Sequence, residues 1–312
     1  MIKQILLRRF WQLITVVWGV GTLTFVLLRS LPGDMAYRIA AGRFGYDNVT
    51  AGAADMVRAE LELDLPVWQQ YFNWLWDLLS FNLGTSMVSG GPVIAEVQHQ
   101  LGHSVLLAFV GVTISLLIAI PLGLAAARYG GWLDRISLVV STGIRAMPVF
   151  LIGLVFVLIF ALELNWFPVA GFGEAKFLVL PAISLAVVLA ATSNRVIRDA
   201  ALAVFRAPYY QFSQVKGLSR WQTFVRHGIR NMSVPVVAFM GIQLITVIEG
   251  IVMIESLFSW PGIGHGLAHA IFSRDIPVIQ GAALCMGVMF VMLNTLVDIA
   301  CAKLDPRQEV KS

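Results

Sequence analysis

Residues 97–127 read VQHQLGHSVLLAFVGVTISLLIAIPLGLAAA, a run without one Asp, Glu, Lys or Arg. A hydrocarbon layer of about 30 Å is crossed by about 20 apolar helical residues, whereas a soluble core strand needs only about 4–8. This run is therefore long enough to cross a bilayer. Further charge-free runs lie at 10–28, 146–162, 177–194, 231–248 and 276–297. Together they predict an all-α membrane protein with six transmembrane helices.

The composition agrees. Of 312 residues, 58% are hydrophobic and 13% charged, with a mean hydropathy of +0.79. A soluble chain carries about 25% charged residues, so a cytosolic enzyme and a disordered chain are both excluded. The net charge of +4 is gathered largely in one short loop between spans, which fits topology better than nucleic-acid binding. Cys285 falls in the last hydrophobic run and Cys301 just past its charge-free part, 16 positions apart. On one helix they would stand roughly 24 Å from each other, too far for a disulfide.

Lys3, Arg8 and Arg9 precede the first run, and no small-residue cleavage site follows it, so it reads as an uncleaved span with a cytoplasmic N-terminus. Six spans then place the C-terminus in the cytoplasm too. The alternation assigns 15 Lys/Arg to the inside segments (1–9, 127–135, 195–232, 303–312) and six to the much longer outside ones. That is the positive-inside asymmetry. The expected organisation is residues 1–30 as cytoplasmic N-terminus and first span, 31–103 as a periplasmic segment, and 104–312 as a five-helix core with a cytoplasmic loop at 195–233. Within the periplasmic segment, Asp64-Leu65-Pro66 can cap a helix in which Val67, Tyr71, Trp74, Leu75 and Leu78 form an apolar stripe. With Trp68 and Trp76, that helix suits either the membrane interface or packing on the bundle.

The segment from Arg195 to Pro235 carries the functional signal. It reads as two short helices. Pro208 suits a first helical position, Lys216 sits in the last turn and Gly217 can take the left-handed stop. Ser219 to Gln222 then match a capping box that opens a second helix running toward Asn231. Seven basic residues lie between Arg195 and Arg230, against the single acid Asp199. Anchoring to anionic lipid would account for the charge alone. It would not need two opposed caps or the aromatic set Tyr209, Tyr210, Phe212, Trp221 and Phe224, which reads as an exposed docking knob for a protein.

The run Ala207-Pro208-Tyr209-Tyr210-Gln211-Phe212-Ser213-Gln214-Val215-Lys216-Gly217-Leu218-Ser219, followed by Arg226-His-Gly-Ile-Arg-Asn231 and Pro235, resembles the "EAA" coupling loop of bacterial binding-protein-dependent ABC importers. Its spacing is like that of the dipeptide, oligopeptide and nickel permeases. Leu31-Pro-Gly-Asp34, Phe81-Asn-Leu-Gly84, Leu180-Pro-Ala182, the stretch from Glu255 through Trp260-Pro261 to Gly264, Arg274-Asp-Ile-Pro-Val-Ile-Gln280 and Leu304-Asp-Pro-Arg307 resemble further signatures of that family in order. The chain departs from the pattern at Gln211-Phe212-Ser213, where Glu-Ala-Ala is expected. The resemblance implies a type I importer permease of the bacterial inner membrane. It implies pairing with a second, homologous permease, two ATPase subunits and a periplasmic solute-binding protein. The residues from Pro208 to Leu218 would be the contact through which ATP-driven closure rocks the spans. ATP and Mg would be bound by the partner subunits, with no cofactor in this chain. Peptide, glutathione, nickel and a nickel–metallophore complex are all cargoes of such permeases, peptide being the first expectation.

No Gly-Lys dipeptide occurs, so the chain has no phosphate-cradling G-x-x-x-x-G-K-[ST] motif, and H-E-x-x-H and G-x-S-x-G are absent too. No catalytic residues are expected. The glycine-rich Gly262-Ile-Gly264-His-Gly266 reads as a turn. Arg145 would lie nine residues into a third span beginning near Ile136, and Glu249 lies deep in the fifth. They are candidates for the translocation path, or for a snorkelling and an interfacial charge. His99 with His103, and His265 with His269, have i, i+4 spacing, which either places imidazoles for a metal such as nickel or reflects ordinary interfacial histidines. An ion-gradient-driven secondary transporter is the alternative; it would show two symmetric halves with broken helices, and no such pair is visible.

Overall fold

The computed structural model describes residues 2–30, 33–45, 49–60, 64–80 and 82–304; the side chains of Ile2, Leu28, Glu60, Leu79, Ile245 and Glu249 lie outside that description. So do Leu31, Pro32, Phe81, Asp305, Pro306 and Arg307 of the ordered signatures. The described residues form helices in the order α1 (Ile2–Ser30), α2 (Met35–Phe44), α3 (Ala51–Glu60), α4 (Val67–Leu79), α5 (Val93–Tyr129), α6 (Gly131–Arg145), α7 (Val149–Phe156, continued by a π-helical segment Val157–Glu163), α8 (Lys176–Arg206), α9 (Pro208–Val215), α10 (Arg220–Thr223), α11 (Ile229–Leu257), α12 (Ile263–Ser273) and α13 (Ile276–Leu304). Among these residues the sole β-type pairing is an isolated bridge between Thr85 and Pro92.

Four helices are long and apolar enough to cross a membrane: Lys3–Leu27, Val93–Tyr129, Lys176–Arg206 and Ile276–Leu304. Two bent pairs, Gly131–Arg145 with Val149–Glu163 and Arg220–Leu244 with Thr246–Leu257, bring the number to six if each is one span. The third expected span is corrected by the first of these pairs, whose halves meet at 100°. Pro148 lacks an amide hydrogen and disfavours helix at Met147 before it, so α6 ends at Arg145 and α7 starts afresh after Pro148. Arg145 is thus an exposed residue at the end of α6, at the break between the two halves of this pair.

The fourth charge-free run also stops short of its helix. α8 continues from Arg195 to Arg206 because Asp134 of α6 takes both Arg195 (2.7 Å) and Arg198 (Nε, 3.1 Å). The loop therefore begins at Ala207, not at Arg195. The helix opened by Ser219 does not stop near Asn231 either. α10 passes through a π-helical segment, Phe224–Gly228, directly into α11.

The chain divides into two compact units, one of residues 10–104 and 261–291, the other of 1–9, 105–260 and 292–312. In the larger unit, Leu107, Leu180, Ile254, Phe258 and Trp260 form one buried cluster, and Leu185, Leu189, Val247 and Ile251 another. Arg9 holds Asp298 at 2.9 Å in the same unit.

In the smaller unit, Val93, Val97, Ile263, Ala270 and Ala282 are buried together, and α2 packs on α3 through Ile39, Ala40 and Val57. α4 is capped by Pro66 with no side-chain hydrogen bond, so Asp64 does not cap it. Its Tyr71 and Trp74 pack against Phe25 of α1, with ring centroids 5.3 and 6.0 Å away, while Trp68 and Trp76 stay exposed. Packing on the neighbouring helix is therefore the reading that Tyr71 and Trp74 follow. The glycine-rich stretch after Pro261 is not a turn: Gly262 is the N-cap of α12, whose Ile263 N–H donates to Ser104 Oγ (2.8 Å). A Cβ on Gly266 would fall 2.3 Å from Gln100 Oε1, so the glycine is what lets α12 close on α5.

Candidate functional site

The segment 207–224 is built from local chemistry. Ala207 is extended (φ −69°, ψ 138°), and Pro208 opens α9 where its missing N–H is no loss. At the other end Gly217 has φ +93°, the Gly217 N–H donates to Gln214 C=O (3.0 Å), and the Leu218 N–H donates to Ser213 C=O (3.2 Å). This is a Schellman stop, which leaves few carbonyls of α9 unsatisfied. Two residues on, the Gln222 N–H donates to Ser219 Oγ (3.2 Å) and the Ser219 N–H to Gln222 Oε1 (3.0 Å), closing the capping box. Two helix ends thus lie within a few residues of each other, both hydrogen-bonded, and the connection between them has little freedom.

The helix has an anchored and a free face. Tyr210 is 7% exposed and packs with Ala201, Val204 and Met232; its ring lies 5.5 Å from Phe205. Burial pushes the Tyr210 phenol up, with Arg128 opposing, so it is a neutral anchor. Ser213 is buried beside it and donates to Tyr209 C=O (2.8 Å). Tyr210 and the half-buried Phe224 therefore leave the expected exposed aromatic set, because they fix the projection to α8 and α11. Phe212 (58% exposed), Val215 (82%) and Trp221 (71%) face outward with Tyr209, Gln211 and Gln214. Lys216 Nζ lies over the Phe212 ring at 4.8 Å. Behind this surface Arg128, Arg220, Trp221 and Gln214 line a cavity of about 550 Å³. The arrangement offers apolar and aromatic side chains on a stiff, cationic base.

The other candidate residues fall in separate places. Arg145 ends α6; Glu249 lies on α11, with its side chain outside the described residues. In the smaller unit the His99 and His103 Nε2 atoms are 3.3 Å apart, and the His265 and His269 ring centroids 4.6 Å. His99, His265 and His269 line one cavity of about 370 Å³ with Glu96 and Asp275; His103 does not join them. Among the described residues no three His, Cys, Asp or Glu side chains are grouped to hold a metal ion.

Sequence reasoning missed the buried polar links between apolar helices. Ser193 Oγ donates to Gln243 Oε1 (2.9 Å), Gln243 Nε2 to Leu189 C=O (2.8 Å), and Asn194 Nδ2 to Ser137 Oγ (2.7 Å). In lipid such bonds join helices, because each group would otherwise be unsatisfied in hydrocarbon. The signal was a polar residue alone in a charge-free run, as Gln243 is in 231–248.

Membrane-crossing helices interrupted by a cationic, aromatic projection define a multi-pass membrane protein. The chain belongs to the family of binding-protein-dependent transport system inner membrane components: that family's model matches residues 119–310, and the model of its N-terminal region matches residues 1–92. The chain is 33% identical over 301 residues to the glutathione transport system permease protein GsiC of Pectobacterium atrosepticum, covering 96% of this chain and 97% of that one. It is 30% identical, with the same coverage, to the proteins of that name in Escherichia coli K12 and Escherichia coli O6:H1. It is accordingly an ABC importer permease of the inner membrane, working with a solute-binding protein and with an ATPase that carries out the hydrolysis.

Proposed function

We propose that this permease carries a short peptide of the glutathione type, and that α9 with the start of α10 is the lever through which the ATPase moves its spans. The carrying observation is that the junction of α9 and α10 is fixed from both sides, by the Schellman stop that ends α9 at Gly217 and the capping box that opens α10 at Ser219, with Tyr210 of α9 seated in a buried cluster. A stiff element transmits a push, and its free face offers Tyr209, Phe212, Val215 and Trp221 to a groove. The excess of basic residues in this segment supports a cytoplasmic position, with both termini on that side. The working assembly is this chain, a second homologous permease, two ATPase subunits and a periplasmic binding protein.

The cargo reading rests on the names of relatives that match nearly the whole chain. Nickel and nickel chelates are the competing class, supported by the three histidines on one cavity. Uptake of labelled glutathione, dipeptide and nickel through the assembled transporter separates them. Replacing His99, His103, His265 and His269 with Ala should leave peptide uptake intact; loss of nickel uptake with peptide uptake absent would reverse the assignment.

The lever is tested on its free face. Phe212→Asp with Val215→Asp changes exposed positions, so the thermal midpoint should hold. Anchors buried in an interface are worth about 2 kcal/mol or more each, so ATPase retention and uptake should fall at least about thirtyfold. A variant that keeps its ATPase and full uptake would overturn the reading.

A further inference from the structure

A cavity of about 330 Å³ in the smaller unit lies among the C-terminal end of α1, one face of α4 and the first turns of α13. α4 has three distinct sides. Tyr71, Trp74 and Leu78 share the side that packs on α1; Trp68, Phe72 and Trp76 are exposed; Gln70, Asn73 and Asp77, at i, i+3 and i+7, form a polar stripe that lines the cavity. A helix with an exposed aromatic side and a polar side belongs at the headgroup level of a bilayer.

The polar groups that meet there are incompletely satisfied. The Arg29 guanidinium donates to Gln70 Oε1 and lies 4.6 Å over the Phe25 ring, and no carboxylate among the described residues pairs with it. Gln280, only 4% exposed, lines the same cavity, and its Nε2 has no hydrogen-bond partner among the described residues. A buried amide donor without an acceptor is costly and needs an explanation such as a bound group. Two donors, one of them cationic, call for an anion. Asp77 and Asn73 at the exposed edge call for a cation beside it, and the walls of Phe25, Trp74 and Leu284 call for apolar matter.

We propose that this cavity binds a zwitterionic phospholipid headgroup, with the phosphate accepting from Arg29 and Gln280 Nε2 and the ammonium held by Asp77. The same charges would also suit a soluble phosphate or a zwitterionic peptide. The apolar wall and the exposed tryptophans of α4 favour the lipid. An anionic lipid without an ammonium gains nothing from Asp77, so phosphatidylethanolamine should exceed phosphatidylglycerol.

The test uses the full-length chain purified in its transporter assembly, delipidated, and titrated with phosphatidylethanolamine, phosphatidylglycerol, inorganic phosphate or glutathione, with bound molecules counted by native mass spectrometry. The expected result is one retained phosphatidylethanolamine. Its occupancy should fall at least fivefold in Arg29→Gln and in the apolar Gln280→Leu, and survive in Arg29→Lys. Asp77→Asn should erase the preference over phosphatidylglycerol. Variants whose thermal midpoint is unchanged and that retain the lipid undiminished would overturn the proposal. Equal or tighter occupation of the site by phosphate or glutathione would overturn it as well.

Discussion

The projection at 207–224 and the turn at 84–92 are both short, irregular pieces of chain, and only the second adds a remote clamp to its local bonds. In the first, Pro208 has no N–H to satisfy, and the bonds at Gly217, Leu218, Ser219 and Gln222 reach only three to five residues. In the second, local bonds such as Ser86 N–H to Gly91 C=O (2.8 Å) are joined by a remote clamp: the buried carboxylate of Asp275 accepts from Ser86 Oγ, from the Met87 N–H (3.1 Å) and from the Val88 N–H (3.3 Å), across nearly 190 positions of sequence. Local caps are written in spacing; a remote carboxylate is written only in the fold. The difference also sets what each piece tolerates, because a cap shares its work with water whereas a buried acceptor does not.

The sharpest way to break this contrast is Asp275→Ala. Ser86 Oγ and the Met87 N–H lose their acceptor, the Val88 N–H keeps only Ser86 Oγ (3.2 Å), and each unsatisfied group costs about 1–3 kcal/mol. A loss of roughly 3–5 kcal/mol is expected, read as a lowered thermal midpoint in detergent and proteolytic cleavage near Ser86. A midpoint within a degree of the parent would mean that the turn holds itself. Asp134→Asn comes next. It leaves Arg195 without its carboxylate and Arg198 with Asp199 alone, in a site about one-fifth exposed, so roughly 1–3 kcal/mol is expected. The rim of α8 should then become more open to hydrogen exchange between Arg195 and Arg206.

Much of the fold was legible because lipid imposes a coarse rule: a long run without charge must be a helix. What escaped is physical. Charge-free runs do not mark where a helix ends, since Arg195 and Arg198 continue α8 once Asp134 and Asp199 pair with them. A hydropathy window also cannot register a single Pro148, which turns one expected span into two helices at 100°. At the candidate site the caps and the helix were readable. Tyr210 was not, because whether an aromatic ring points to a partner or to its own core depends on Ala201, Val204 and Met232, which lie elsewhere in the chain. The same holds for Gln280 and Arg29, nothing in whose neighbouring sequence announces a shared cavity.

Single changes in the local caps should cost less than those in the remote clamps. Gly217→Ala meets open space but must hold φ at +93°, so the cost is conformational, about 1 kcal/mol. Ser219→Ala removes one cap acceptor for about 1 kcal/mol. Neither should unfold the chain, yet both should loosen α9, which ATPase-stimulated uptake detects as a partial loss with an unchanged global midpoint. If uptake stayed at the parental level in the double variant, stiffness would not be what the two motifs provide.

The smallest effect belongs to His265, whose imidazole is pushed below its usual value by burial and then by His269. The sign follows from proton counts. Between the folded and unfolded values the unfolded chain binds more protons, so the stability from keeping His265 neutral is complete above about pH 6.5 and fades as pH falls. The cavity around it also holds Glu96, His99, His269 and Asp275, so the total slope is shared. Thermal midpoints measured from pH 7.5 to 5 should fall, and His265→Gln should flatten that fall by about a degree or two. A His265→Gln chain with the parental slope would assign the acid sensitivity to the neighbouring groups.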